Sequence, residues 1–406
     1  MDEITVVGGG LAGLIAALEA AEAGVPVRVL EARRHLGGRA VSSPPPFVAN
    51  LGPHALYTGT ALWDWLVARG LDRGCRTPSP VSSRVRIGGR IRRVPPPGLL
   101  GAMVRLRGAD APGELDLRTW LTSCWGTGER ASARIEAVAS MAGVLTFDHD
   151  PGRLSAAFVW ERVRRILLSP KPVARYVDGG WSALVDRLAA AARERGVRIE
   201  TGAKLDSLAD LQGPGGSSDG SAGTGPVIVA VSPGAARRLL DDDGLRATSP
   251  RVGLLDVGVR SRRGDPNAVL DADEASFLTR PSATLPGLAP DGHDVVQVSA
   301  PLRPDEELDD GVRRAERLLD DTLPGWRDRE VWRRRSVVTE STGAIDLPGT
   351  TWRDRPRVTH APGVWLAGDW VASPGHLSET SCTSAVTAAA GALAVLRSRR
   401  PRPSLA

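Results

Sequence analysis

The chain has 406 residues, 42% of them hydrophobic, and its 52 Lys and Arg against 47 Asp and Glu leave a net charge of +5; that is enough apolar material for a sizeable core and enough length for two domains. The bases are nearly all arginine, the only lysines being Lys171 and Lys204, and they lie scattered among almost as many acids with no basic stripe interleaved with aromatics, which argues against nucleic acid as a partner. Cys75, Cys124 and Cys382 stand far apart with no C-x-x-C, so neither a disulfide framework nor a zinc site is expected, and a reducing compartment fits.

The first forty residues organise the rest of the chain. Residues 4–7, Ile-Thr-Val-Val, read as a short buried parallel strand, and Gly8, Gly10 and Gly13 form the G-x-G-x-x-G turn into a helix over residues 11–23. Without Cβ atoms, Gly8 and Gly10 let the chain bend and a pyrophosphate approach, while Gly13 lets helix and strand pack closely. The N–H groups of Leu11 and Ala12 at the helix start then face the anion. A second strand over residues 27–30 ends on Glu31, an acid placed roughly 20 residues past the glycines to accept hydrogen bonds from a ribose. Met1 to Glu3 lead straight into the first strand, leaving no room for a signal peptide, and no apolar run reaches the roughly 18 residues of a spanning helix. A soluble, cytoplasmic chain with no transmembrane segment is expected.

Further along, residues 42–47 carry three prolines and read as a loop, residues 60–69 as a helix ending at Gly70, and residues 85–94 as a two-stranded ribbon around Gly88 and Gly89. Residues 99–168 are largely helical in pattern. A helix over residues 182–195 hands over to a strand at 197–200, residues 213–225 read as a flexible glycine and serine loop, and residues 227–231 as a buried strand before a helix capped by Ser232 and Pro233. Strand patterns return at 252–259 and 295–299, a helix at 309–319, a strand at 364–366 that meets Gly368 and Asp369, and an alanine-rich helix at 380–396. The tail 397–406 is basic and expected to be disordered, with peripheral membrane contact open to it. No internal repeat is present.

Gly8 to Gly13, Glu31, Gly37-Gly38-Arg39, Gly52-Pro53-His54, Gly179-Gly180-Trp181, residues 227–231 and Leu366-Ala367-Gly368-Asp369 together resemble the ordered landmarks of the flavin-dependent family of amine oxidases, protoporphyrinogen oxidases and phytoene desaturases. The resemblance implies an α/β fold: a Rossmann-like FAD-binding domain assembled from discontinuous segments (1–75, 170–245 and 350–396) and an α+β substrate domain (76–169 and 246–349). It implies that Glu31 holds the adenosine ribose beside Ala32 and Arg33, that Gly38 and Arg39 contact the pyrophosphate, and that the main chain at Lys204 brackets the adenine. Gly52, Pro53 and His54 would sit near the isoalloxazine, Asp369 would accept from the ribityl chain with Gly368 allowing the approach, and Leu377, Ser378 and Glu379 would present N–H groups to the pyrimidine edge. From the residues alone, Arg39 is open to a surface ion pair and His54 to plain packing, while Trp365 and Trp370 read as core, with Trp370 open to the substrate side.

Departures from the family narrow the expected chemistry. Neither lysine falls where amine oxidases place one near flavin N5, and Tyr57 and Tyr176 are the only tyrosines. No cysteine lies between Cys124 and Cys382 to tether the flavin, so FAD is expected to be non-covalent. The pattern is nearest the phytoene-desaturase-like branch, with dehydrogenation of a largely apolar small molecule by hydride transfer to flavin N5. The alternatives are an amine or amino-acid oxidase releasing hydrogen peroxide and a non-catalytic carrier of the same fold. No general base or oligomeric state follows from the sequence.

Overall fold

The computed structural model describes residues 3–52, 54–79, 82–93, 97–211 and 225–399. Pro53, all but the last residue of the glycine and serine loop, and residues 400–406 of the tail therefore lie outside the described residues. The first sheet has six strands in the order Thr359–Ala361, Val364–Leu366, Val227–Val229, Ile4–Val7, Val27–Glu31, Arg198–Thr201. All neighbours are parallel except the first pair, with Val6 level with both Val29 and Ile228. Its central strands are runs of Val, Ile and Leu because helices cover both faces. Leu14, Ile15 and Leu18 of helix Leu11–Glu22, Leu184 and Leu188 of helix Gly180–Glu194, and Ala385, Ala389 and Ala392 of helix Ser378–Arg399 are buried in one core with Ile4, Val29 and Leu366.

The second sheet has seven strands in the order Glu330–Val338, Val252–Arg260, His293–Pro301, Phe277–Thr279, Ala268–Asp271, Ser83–Ile87, Arg90–Arg92. It is antiparallel apart from the pairing of Ala268–Asp271 with Ser83–Ile87. Along Val252–Arg260, Leu255, Val257 and Val259 pack with Val312, Leu318 and Leu319 of helix Leu308–Thr322. Side chains alternate across a strand, so Leu254, Asp256 and Gly258 face the other way; a Cβ on Gly258 would stand 2.6 Å from the Phe47 ring. That second face therefore covers the segment leading to Gly52. Helices Leu117–Trp125, Glu129–Met141 and Ala156–Arg162 form a third core around Leu121, Val138 and Trp160, and the last of them runs straight into a wide π-helical turn, Val163–Leu167.

Four readings change. The strand Glu330–Val338 is absent from the sequence pattern because exposed and half-buried positions alternate along this edge strand and three consecutive arginines, Arg333 to Arg335, interrupt it, leaving no apolar run. The third buried strand stops at Val229, two residues early. The last helix continues through Arg397 to Arg399, so the basic tail begins helical. That 22-residue helix is also long and apolar enough, by length and composition alone, to cross a membrane, contrary to expectation; 56% of its most apolar window is buried, as befits a core helix.

Candidate active site

Backbone builds one end of the site. Gly8 takes φ +107°, and the helix begins three residues on. A Cβ on Gly8 would stand 2.5 Å from Ala230 O and one on Gly13 1.9 Å from Gly8 O, so neither position admits a side chain. Gly10 brings no side-chain cap and the first turn holds no acid, which leaves the N–H groups of Leu11, Ala12 and Gly13 to an outside anion. The second glycine run lies against the first: Gly37 bridges to Gly10 and donates to Gly9 O at 2.8 Å, and Gly38 has φ +60° with Gly10 Cα 3.6 Å from where its Cβ would be.

Glu31 is 8% exposed, and its two oxygens each accept a main-chain N–H at 2.8 Å, from Gly9 and Arg33. A carboxylate oxygen takes more than one donor, so the group sets the turn and keeps acceptor capacity. Ala32 and Arg33 beside it are exposed. Gly202 donates to Arg33 O and Ala203 to Glu31 O, at 2.8 and 2.9 Å, which brings Lys204 to the same sheet end. Its ammonium is turned outward onto Asp206, 2.6 Å away.

A direct ion pair joins this seat to the Gly-Asp corner. Arg39 Nη2 lies 2.5 Å from Asp369 Oδ1, and Nη1 donates to Glu340 O at 2.7 Å. Burial works against the Arg39 charge, but Asp369 more than offsets it and holds the group above its usual pKa. Asp369 accepts the Gly343 N–H at 2.7 Å on its other oxygen, while Gly368 N–H donates to Ser384 Oγ of the last helix at 2.9 Å. Arg39 is thus half-buried and directly paired with the buried Asp369, one residue after Gly38 of the glycine seat.

Beyond that pair stand Gly52 and His54. Gly52 has φ +117°, and His54 Nδ1 lies 3.1 Å from Gly52 O; a carbonyl only accepts, so Nδ1 carries the proton. The ring meets Trp181 edge-on at 4.9 Å. Burial and then the Arg39 charge lower the imidazole to about 4 against the pull of Gly52 O, so His54 is neutral at pH 7. Two residues earlier than Gly52, Asn50 is gripped by the second sheet. Its carbonyl accepts from Gln297 Nε2 at 2.8 Å and Arg334 Nη2 at 2.7 Å, and both donors also bond the fully buried Asp256, at 2.9 Å from Gln297 and 2.8 Å from Arg334 Nε.

At the start of the last helix Leu377 adopts φ +53°, strain of the kind that clusters at functional sites. Ser378 opens the helix, as expected. The Glu379 N–H does not face a ligand: it donates to His376 O at 2.9 Å, closing a tight turn. The Glu379 carboxylate accepts from Ala61 N at 3.0 Å and pairs with Arg165 at 3.3 Å. Trp365 and Trp370 are core, 5% and 1% exposed, and Trp370 Nε1 donates to Val231 O, which takes it off the substrate side. His376, Arg162 and Glu161 meet beside this helix start; nothing in the sequence marked them, since E-R-V-R-R reads as a solvated helix face and His376 as a lone histidine.

The glycine seat adjoins the Arg39–Asp369 pair through Gly38, Gly368 reaches Ser384 of the last helix, and a family model for flavin-containing amine oxidoreductases matches residues 11–393. The chain belongs to the flavin-containing amine oxidoreductase family. It is an FAD-dependent oxidoreductase, and its fold is similar to an oxidoreductase from Methanosarcina mazei (TM-score 0.73, 17% identity, covering 97% of this chain and 100% of that one). It is likewise similar to cyclohexylamine oxidase from Brevibacterium oxydans IH-35A (0.73, 17%, 97% and 99%) and to reduced UDP-galactopyranose mutase (0.70, 16%, 97% and 94%). No curated protein sequence matches it. The residues present fit FAD: a cradle that any Cβ would fill, uncapped helix N–H groups for a diphosphate, and a buried carboxylate with acceptor capacity one strand away.

Proposed function

We propose that this oxidoreductase dehydrogenates a largely apolar small organic molecule. In this reading Glu31 holds the adenosine ribose with Ala32, Arg33 and the Lys204 main chain nearby, and Gly8 to Gly13 with Gly38 hold the diphosphate. Arg39 neutralises Asp369 beside the ribityl chain, while Gly52, His54, Gly368, Leu377 and Ser378 surround the ring. When bound, FAD supplies a hydride acceptor at N5. The protein positions the substrate and excludes water. His54, neutral and locked by Trp181, shapes the site without adding charge.

One observation carries the apolar assignment. Leu51, next to Gly52, packs with Val252, Leu254, Val338 and Phe147, while Lys171 and Lys204 are both exposed on the surface, so no lysine ammonium stands in the site. The intact phosphate and ribose geometry weighs against a non-catalytic carrier. The test is anaerobic: the yellow holoprotein is mixed with panels of alicyclic, polyene and amine compounds and flavin bleaching is followed. Bleaching by the apolar panel supports the assignment. Bleaching by amines alone, with peroxide on admitting air, replaces it with an amine oxidase, and a protein that takes up no FAD ends it.

A further inference from the structure

Only two arginines are fully buried among the described residues, Arg162 at 4% and Arg314 at 5% exposure. Arg314 is conventional, paired with Glu306 and donating to Pro301 O. Arg162 has no carboxylate within ion-pair distance. Its guanidinium lies 3.5 Å over the Phe158 ring, Nη1 donates to Phe158 O at 2.8 Å, and Nε is buried with no acceptor. A buried charge without an anion is strongly unfavourable.

No nearby acid pairs directly with Arg162, although the charges of Asp346 and Glu161 act on it through space. Glu161 Oε1 lies 3.0 Å from His376 Nε2, off the line of a good hydrogen bond, and 3.9 Å from Arg165; Glu379 is held by Arg165, Ala61 N and His376 N; Asp346 is held by Arg355 at 2.5 Å. His376 Nδ1 is buried and has no partner either. His376 stands two residues before Ser378, at the end of the site given to the ring, and the π turn that follows Arg162 is a feature often found at functional sites.

We propose that Arg162, with His376 beside it, is the seat for a carboxylate on the substrate, so that the molecule oxidised is apolar over most of its length and acidic at one end. With Nη1 spent on Phe158 O, the Nε and Nη2 edge of the fork remains, and that edge matches the two oxygens of a carboxylate. His376 Nδ1 offers one more donor in the tautomer that carries the ring proton there. This rests on the flavin reading above, since it places the acid group beside the ring.

Binding is read on the full-length FAD-loaded protein by perturbation of the flavin absorbance, titrating hexanoate, hexylamine and inorganic phosphate into wild type, Arg162→Met and Arg162→Lys. Hexanoate is expected to bind wild type at least about tenfold more tightly than the other two probes, with about a 30-fold loss in Arg162→Met. Arg162→Lys, which keeps the charge but not the fork, is expected to recover only part of it. The ligand-free Arg162→Met protein is expected to melt no lower than wild type, since it sheds an unpaired charge. Phosphate binding as tight as hexanoate, hexanoate binding unchanged in Arg162→Met, or a lower melting point in that variant each overturns the carboxylate seat while leaving the flavin reading intact. A flavin spectrum or potential altered by Arg162→Met before any ligand is added reassigns Arg162 to the ring and also overturns it. A protein without FAD overturns both.

Discussion

Gly13 shows how one missing atom controls a binding site. A Cβ there would stand 1.9 Å from Gly8 O, a backbone atom that cannot swing aside, so Gly13→Ala must push helix and turn apart. Overpacking of this kind costs about 1–3 kcal/mol, and the turn it distorts is the proposed phosphate seat. The variant is expected to purify with little bound flavin, read from its visible absorbance, and to melt lower. His54 acts through charge. Its pKa falls from the usual 6.5 to about 4 on burial, so the unfolded chain binds the proton first as pH drops. His54 then removes no stability above about pH 6.5, and stability is lost between there and pH 4. Thermal melts of wild type and His54→Gln across that range are expected to converge or cross as the pH falls, wild type losing more.

Strands and helices bring distant residues under one constraint. Strand Val252–Arg260 pairs along nearly its whole length with both neighbours, which fixes Asp256 opposite Gln297 and Arg334, the two residues that donate to Asn50 O. Burial raises the Asp256 carboxyl above its usual pKa despite the Arg334 charge and the Gln297 bond. Arg334→Met leaves that carboxyl without a cation and is expected to destabilise the protein by about 3–5 kcal/mol in denaturant unfolding. The sign of its pH dependence follows from the raised pKa: the deficit is present chiefly at high pH and shrinks as acid protonates Asp256. A deficit equal at pH 5 and pH 8 would contradict this account. Because the same network grips Asn50, the variant is also expected to weaken flavin retention.

For the molecule as a whole, the proposed placement puts FAD along the same seam as the Arg39–Asp369 pair. Segments 330 positions apart meet there at 2.5 Å, and a ligand lying along the seam binds only the folded chain. Adding FAD to apoprotein is therefore expected to raise stability by about 2.7 kcal/mol at a hundredfold excess over its Kd. Limited proteolysis of the apoprotein is expected to slow on adding FAD, with ATP giving less protection because it reaches only the glycine end. Equal protection by both nucleotides would show that the seam is not bridged.

The sequence alone determined the opening strand, turn, helix and strand of this protein, and the reason is locality. A strand, a glycine turn, a helix and an acid within one unit of about thirty residues form a self-contained signature, so Gly8 to Gly13, Glu31 and the parallel sheet were legible, as were the hairpin at Gly88 and Gly89 and the late Gly368 and Asp369. Only the tertiary structure decided the rest. Arg39 reads the same whether it faces a phosphate or Asp369; Glu330–Val338 carries no apolar run because its partner strand, not its own pattern, makes it a strand; and Arg162 and His376, 214 residues apart in the chain, become neighbours only when the helical layer closes over the last helix. Ion pairing and burial act through space, and no spacing along the chain records them.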